Sequence, residues 1–261
     1  MKAHTKSLFL YNDYKNMIRL QIHWTYFWWF VLGFFIATIV GTQTHELGHI
    51  AVAESLGYET KLNYGSMSYN HQGFSRDEDV IAWRKLFEKH GDYDNFTDTQ
   101  KRVSNLLFDK IKKKYPTNTT YSFYITLGGP AQTILTCFIG LFILAYRTNN
   151  RQEYFKLLDW FAVFLSLFIL REVFNTVMAG ASYVIQGTSY FSGDEFRISR
   201  YLGLNSWTIP ILTAILGAII ASFVIFMIVP KKYRFSFIFA GFVGSISGYI
   251  LWFDFFGPWL F

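Results

Sequence analysis

The sequence predicts an all-α integral membrane protein of about five transmembrane helices with one small soluble insertion. Three observations carry this. Of its 261 residues 52% are hydrophobic and 21% aromatic, and only 16% are charged, where a soluble domain has about a quarter charged. Charge-free runs recur along the chain at lengths that cross a bilayer, which takes roughly 20 apolar residues for about 30 Å of hydrocarbon. Those runs are too long for barrel strands, and in lipid the backbone must satisfy its own hydrogen bonds, so they are read as helices.

Residues 1–21 form a polar lead-in. The first run, Leu20 to Thr44, opens with Trp24, Tyr26, Phe27, Trp28, Trp29 and Phe30, as an interfacial belt does. Residues 22–57 are accordingly the first transmembrane helix. Residues 58–120 are the soluble insertion. Within it Lys61 to Phe74 has the Tyr, Ser and Gly content of a strand pair, and Asp77 to Lys114 reads as helices around a turn at Gly91 to Asn95. A second apolar run, Tyr115 to Tyr146, becomes apolar near Tyr121, and a third extends from Trp160 to about Ala181, interrupted by Arg171 and Glu172. Together they make up most of residues 121–203. Residues 204–261 form a C-terminal hairpin of two spans, Tyr201 to Pro230 and Phe235 to Phe253, joined by Lys231, Lys232, Tyr233 and Arg234.

The net charge of +6 raises nucleic acid as a partner, and the placement of the charges argues against it. Eleven of the 24 basic residues lie between Lys61 and Lys114 beside nine carboxylates, which is a solvated face and not a phosphate-binding stripe. The lone Cys137 excludes a disulfide framework and a Cys-based metal cluster. Basic residues of the lead-in, of Arg147 to Lys156 and of the Lys231 to Arg234 turn favour the cytoplasmic side, while those of the insertion pull the other way.

At the end of the first span stands His45-Glu46-Leu47-Gly48-His49, the H-E-x-x-H pattern. Two histidines at i and i+4 share one helix face and can reach one zinc ion, and the glutamate beside the first can accept a proton from the attacking water. With six His and eight Glu in the chain, the chance expectation of the pattern is roughly 0.004. An ionisable triplet after some twenty uncharged residues is a functional site by default; the plainer alternative is a helix whose polar residues face water as it leaves the bilayer. Tetrahedral zinc with a position open for water needs a third protein ligand, for which Asp194 and Glu172 are the candidates. His4, His23, His71 and His90 are read as structural or solvated. Six histidines with one clustered pair cannot furnish a His-rich di-iron site. Gly128-Gly129-Pro130 is read as a tight turn with a proline at the first positions of a helix; Arg171 and Glu172, about 100° apart on a helix, need separate partners or a polar cavity and are read as part of a buried structural ion network in preference to a direct catalytic role.

In three blocks the chain resembles the site-2 protease family of intramembrane zinc metalloproteases. These are His45 to His49 near the end of an apolar span, Gly128-Gly129-Pro130 near the start of the next, and Gly193-Asp194-Glu195-Phe196-Arg197-Ile198 after a third. The resemblance covers roughly residues 24 to 203 and implies a three-helix catalytic core there. It also implies one Zn2+ held by His45, His49 and Asp194, with Glu46 as general base. Gly129, Pro130, Gln132 and Asn175 would position substrate, Gln132 standing where the family often has an Asn. Asn175 is nineteen residues before Asp194, without the proline that usually follows such an Asn. No insertion is long enough for a PDZ domain.

The expected activity is hydrolysis of peptide bonds in membrane-protein or membrane-anchored peptide substrates, in or near the lipid bilayer of the plasma or inner membrane. The rival readings are a membrane metalloprotease of the prenyl-protein or quality-control type, with Glu172 as third ligand, and a non-catalytic scaffold or transporter with a vestigial site.

Overall fold

The computed structural model describes residues 21–149, 155–188 and 191–261; the lead-in up to residue 20 and Arg151 lie outside them. Helix α1 (Trp24–Ser55) carries the H-E-x-x-H motif. A hairpin follows, β1 (Tyr58–Leu62) and β2 (Met67–His71), antiparallel with Tyr58 opposite His71 and Leu62 opposite Met67. Then come α2 (Glu78–His90), α3 (Asp98–Lys114) and the long α4 (Thr119–Asn149). α5 (Leu157–Ser166) and α6 (Leu170–Gln186) are joined by a 3-10 turn at Leu167–Ile169. The short α7 (Asp194–Tyr201) precedes α8 (Thr208–Phe223) and α9 (Arg234–Leu251), and a last turn, α10 (Gly257–Leu260), closes the chain.

The mostly helical chain fits an all-α membrane protein, but the span count differs from five. Among the described residues four helical stretches are long and apolar enough to cross a membrane: Trp24–Ser55, Thr119–Arg147, Thr208–Ile228 and Arg234–Leu260. The third expected span is instead divided by the 3-10 turn, just before Arg171 and Glu172. Large apolar side chains such as Phe142, Ile219 and Phe242, on three different spans, point outward and are more than half exposed. That is the arrangement of a surface whose solvent is hydrocarbon.

α1 is the axis of the packing. α4 and α9 pack along it, α5 packs on α4, and α7 joins α4 to α8. Phe27, Phe30 and Phe34 on α1 form a buried cluster with Val163, Ile220 and Phe237, and Phe34 meets Phe237 at 4.9 Å between ring centroids. Further along α1 the close approach is made by backbone: a Cβ on Gly48 would lie 2.5 Å from the Gly128 carbonyl oxygen, and one on Gly128 2.5 Å from that of Gly48. Small residues at a helix crossing permit this contact.

One correction concerns α4. The helix begins at Thr119, where the Asn118 side chain accepts from the Tyr121 N–H at 3.1 Å, so Pro130 lies eleven residues inside it and does not initiate it. A proline there has no N–H for the carbonyl one turn back and loosens the helix locally. The insertion matches its expected order of strand pair and helices. Asp77 caps α2, its Oδ1 accepting from Asp79 N–H at 2.9 Å, while Oδ2 binds the Lys114 ammonium and the Tyr115 hydroxyl. The Lys114 ammonium, against the opposing effect of burial and with help from Tyr115, holds the Asp77 carboxyl below its ordinary range. The hairpin loop is tied to the spans at one atom: the Tyr64 carbonyl accepts from Gln43 Nε2 at 2.5 Å and from Trp252 Nε1 at 2.6 Å.

Candidate metal centre

At 1.5 Å per residue, His45 stands about 32 Å along α1 from Trp24, beyond a run that already suffices to cross the hydrocarbon. His45, Glu46 and His49 are all buried, and their ligand-type atoms lie within 4.8 Å of one another, so this group could hold a metal ion. The helix explains the two histidines, since residues four apart stack on one face.

The ring orientations are set by α4. His49 Nδ1 is 2.6 Å from the Ile125 carbonyl oxygen, and His45 Nδ1 is 2.9 Å from Thr133 Oγ1. A carbonyl only accepts, so Nδ1 of His49 carries the hydrogen and donates it. In that tautomer the Gly129 N–H, 3.2 Å from the same Nδ1, is a neighbour and not a bonded donor. Ile125, Gly129 and Thr133 are spaced i, i+4 and i+8, one face of α4. Gly129 is at its centre because nothing larger fits: a Cβ there would collide with Nε2 of both His45 and His49.

The two Nε2 atoms converge on one oxygen from far along the chain. Asp194 Oδ2, at the start of α7, is 3.1 Å from His45 Nε2 and 3.2 Å from His49 Nε2. An ionised carboxylate is an acceptor only, so its contact with a ring nitrogen is satisfied either by a proton on Nε2 or by a cation held between them. A four-coordinate ion with bonds of 2.0–2.1 Å has ligand atoms roughly 3.3 Å apart, which the observed separations match. The residues present therefore fit a tetrahedral divalent cation with one position left for solvent or substrate.

Glu46 lies beside these three residues without a hydrogen bond to any of them. Its Oε1 is 4.0 Å from Arg171 Nη2, and the main chain of Met67, the first residue of β2, contacts its carboxylate. Arg171 and Glu172 take separate partners, as neighbours on a helix must. Adjacent on α6, they point to different places: Arg171 to Glu46, and Glu172, 1% exposed, to Glu195, with neither of its oxygens reached by a donor. Glu172 makes no bond to His45 or His49, whose ring nitrogens are bonded by Thr133, Ile125 and Asp194.

Of the residues expected to position substrate, Gly129 and Pro130 are buried beside the histidines. Gln132 does not take over the bonding of an Asn: its amide nitrogen donates to Thr136 Oγ1 at 2.9 Å on its own helix, and its Oε1 is buried without a partner. The hydroxyl that reaches the site belongs to the next residue, Thr133. Asn175 is half-buried on α6, which packs on α8, and no hydrogen bond links it to the histidines or Asp194. The partners that sequence reasoning missed are Thr133 and the Ile125 carbonyl; the signal available was their spacing of one helical turn from Gly129.

No family model, curated protein or solved structure matches the chain.

Proposed function

We propose that the chain is an intramembrane zinc metalloprotease of the site-2 protease kind, cutting peptide bonds of membrane-protein substrates at the plasma or inner membrane. The observation that carries this reading is the convergence of His45 Nε2 and His49 Nε2 on Asp194 Oδ2, at 3.1 and 3.2 Å, beside a buried glutamate that none of the three binds. His45, His49 and Asp194 would hold the zinc, which when bound supplies a Lewis acid for the scissile carbonyl and for the attacking water.

The remaining chemistry belongs to the protein. Glu46 takes the proton of the attacking water on its carboxylate and passes it to the leaving amine. Arg171, 4.0 Å across from Glu46 Oε1, gives that carboxylate a cationic neighbour. Thr133 and the Ile125 carbonyl fix both rings so that Nε2 faces inward; such outer partners usually orient metal-binding imidazoles. A helical substrate hides its amides in its own hydrogen bonds and must be unwound before attack. The hairpin, whose Met67 end lies against Glu46, has free strand edges with which an unwound peptide can pair.

The test is Glu46→Gln in the purified full chain, with zinc content and cleavage of a single-span reporter measured together. The expected result is unchanged zinc with cleavage lost by about two orders of magnitude or more. Cleavage at the wild-type rate would refute the assignment of Glu46, and absence of zinc from the wild-type protein would refute the metalloprotease reading.

A further inference from the structure

The soluble insertion carries a charge separation that its sequence hides. Between Lys61 and Lys114 basic and acidic residues are intermingled, but folding sorts them by element. α2 holds three acidic residues against three Lys and Arg and has no net charge with His90 neutral. α3 holds six Lys and Arg against two Asp, a net of +4 out of the +6 of the whole chain. The inner face of α3 is committed to α2: Ser104 and Ile111 are buried, and Ser104 Oγ accepts from Trp83 Nε1 at 3.2 Å. On the opposite face Arg102, Lys113, Leu106, Lys110 and Val103 follow one another across a single arc of about 100°. Asp98 and Asp109 lie outside that arc, beyond its Arg102 edge. Leu106 is 64% exposed and Val103 43%, so two apolar side chains stand in the open among cations. Lys110 is 3.8 Å from Asp79, whereas neither Arg102 nor Lys113 has an ion pair among the described residues.

The connection to α4 keeps α3 beside the membrane. Four residues, Tyr115 to Asn118, separate α3 from Thr119, the start of a helix long and apolar enough to cross a bilayer. At no more than about 3.6 Å per residue, Lys114 is within roughly 18 Å of that start. Tyr121 and Tyr124, exposed in the first turns of α4, are the residue type that marks a membrane–water boundary. We propose that the outer face of α3 docks on the anionic headgroups of the bilayer that the spans cross, Arg102, Lys110 and Lys113 meeting lipid phosphates while Leu106 and Val103 enter the acyl boundary. Helices that combine a cationic face with exposed apolar side chains lie in the plane of the interface, held by buried apolar area and by attraction to anionic lipid together. Nucleic acid would meet the same cations, but the apolar pair within the arc and the short tether to a span favour lipid. The proposal goes beyond the protease reading and stands without it, since none of these residues belongs to the candidate metal centre.

The test uses the full chain with the lone Cys137 replaced by alanine and a fluorophore attached through Leu106→Cys, or through Glu88→Cys on α2 as the control. Each protein is placed in nanodiscs of phosphatidylcholine alone or with about one-third phosphatidylglycerol, both containing a lipid nitroxide quencher just below the headgroup. The expected result is quenching at position 106 in the phosphatidylglycerol nanodiscs, relieved by added salt, and little quenching at 106 in phosphatidylcholine or at 88 in either. Arg102→Gln with Lys113→Gln should lower the ratio of docked to undocked helix about 30-fold, and Arg102→Lys with Lys113→Arg should preserve it. Equal quenching at 106 in the two lipids, quenching that survives the Gln pair, quenching at 88 equal to that at 106, or none at all would each overturn the proposal. Duplex DNA that displaces the helix from phosphatidylglycerol would overturn it in favour of nucleic acid.

Discussion

Replacing Gly129 by alanine adds one methyl group at the most crowded point of the candidate metal centre. The new Cβ would stand 2.5 Å from His45 Nε2 and closer still to His49 Nε2, whereas ordinary contact begins at 3.4 Å. At least about 0.9 Å of movement is therefore needed, against a tolerance of roughly 0.2 Å in metal–ligand distances. Without metal the imidazoles can swing aside; with metal they cannot. The strain of overpacking, about 1–3 kcal/mol, then falls mainly on the bound state and weakens metal affinity by roughly 5- to 150-fold. Competition of the purified protein against a fluorescent zinc chelator measures this directly, with thermal unfolding of the metal-free protein as the measure of fold. Gly180→Ala, on a helix where an added Cβ meets nothing within 4 Å, is the matched control. Wild-type zinc affinity in Gly129→Ala would refute the placement of both Nε2 atoms around a shared ion.

The same chelator assay discriminates the third ligand: Asp194→Ala is expected to lose zinc and Glu172→Ala to keep it, and the opposite pattern would move the ligand to α6. Thr133→Val, which keeps the shape but removes the hydroxyl from His45 Nδ1, should lower zinc affinity about 10- to 100-fold, with no change expected if the ring is oriented by packing alone. The Asp77 carboxyl is held below its ordinary range, first by Lys114. A depressed folded-state value means that its contribution to stability is complete above the unfolded pKa of about 3.9 and is lost as the pH falls through the lower folded value. Hydrogen exchange at the Val80 amide should therefore accelerate on acidification below about pH 4, and Asp77→Asn should remove most of that pH dependence.

What was legible in the sequence was what is local in the chain. His45 and His49 meet because a helix brings i and i+4 together, and the charge-free runs mark apolar length directly. The failures have equally specific causes. The break at Leu167–Ile169 involves no charge, glycine or proline, so a count of uncharged residues passes over it and yields five spans. Gly128-Gly129-Pro130 suits a turn and the first positions of a helix, while the Asn118 cap sets the start in the polar segment before it. Asp194, 149 residues from His45, could be shortlisted with Glu172 from the scarcity of acidic residues but singled out only by resemblance, since nothing in local spacing relates it to the histidines. Gln132 was favoured over Thr133 by chemical likeness to an amide, whereas the turn of α4 gives the hydroxyl the reach.

The unequal support of the two histidines shapes how the site would read in a genetic screen. His45 leans on a side chain, the Thr133 hydroxyl, which a single codon change can delete. His49 leans on the Ile125 carbonyl, which every residue at that position supplies equally. A saturation library scored for activity should thus show a hotspot at Thr133 and Gly129, with position 125 tolerant to apolar exchange. Half of the apparatus that aims the imidazoles is encoded by the course of the main chain and would leave no mark on such a map.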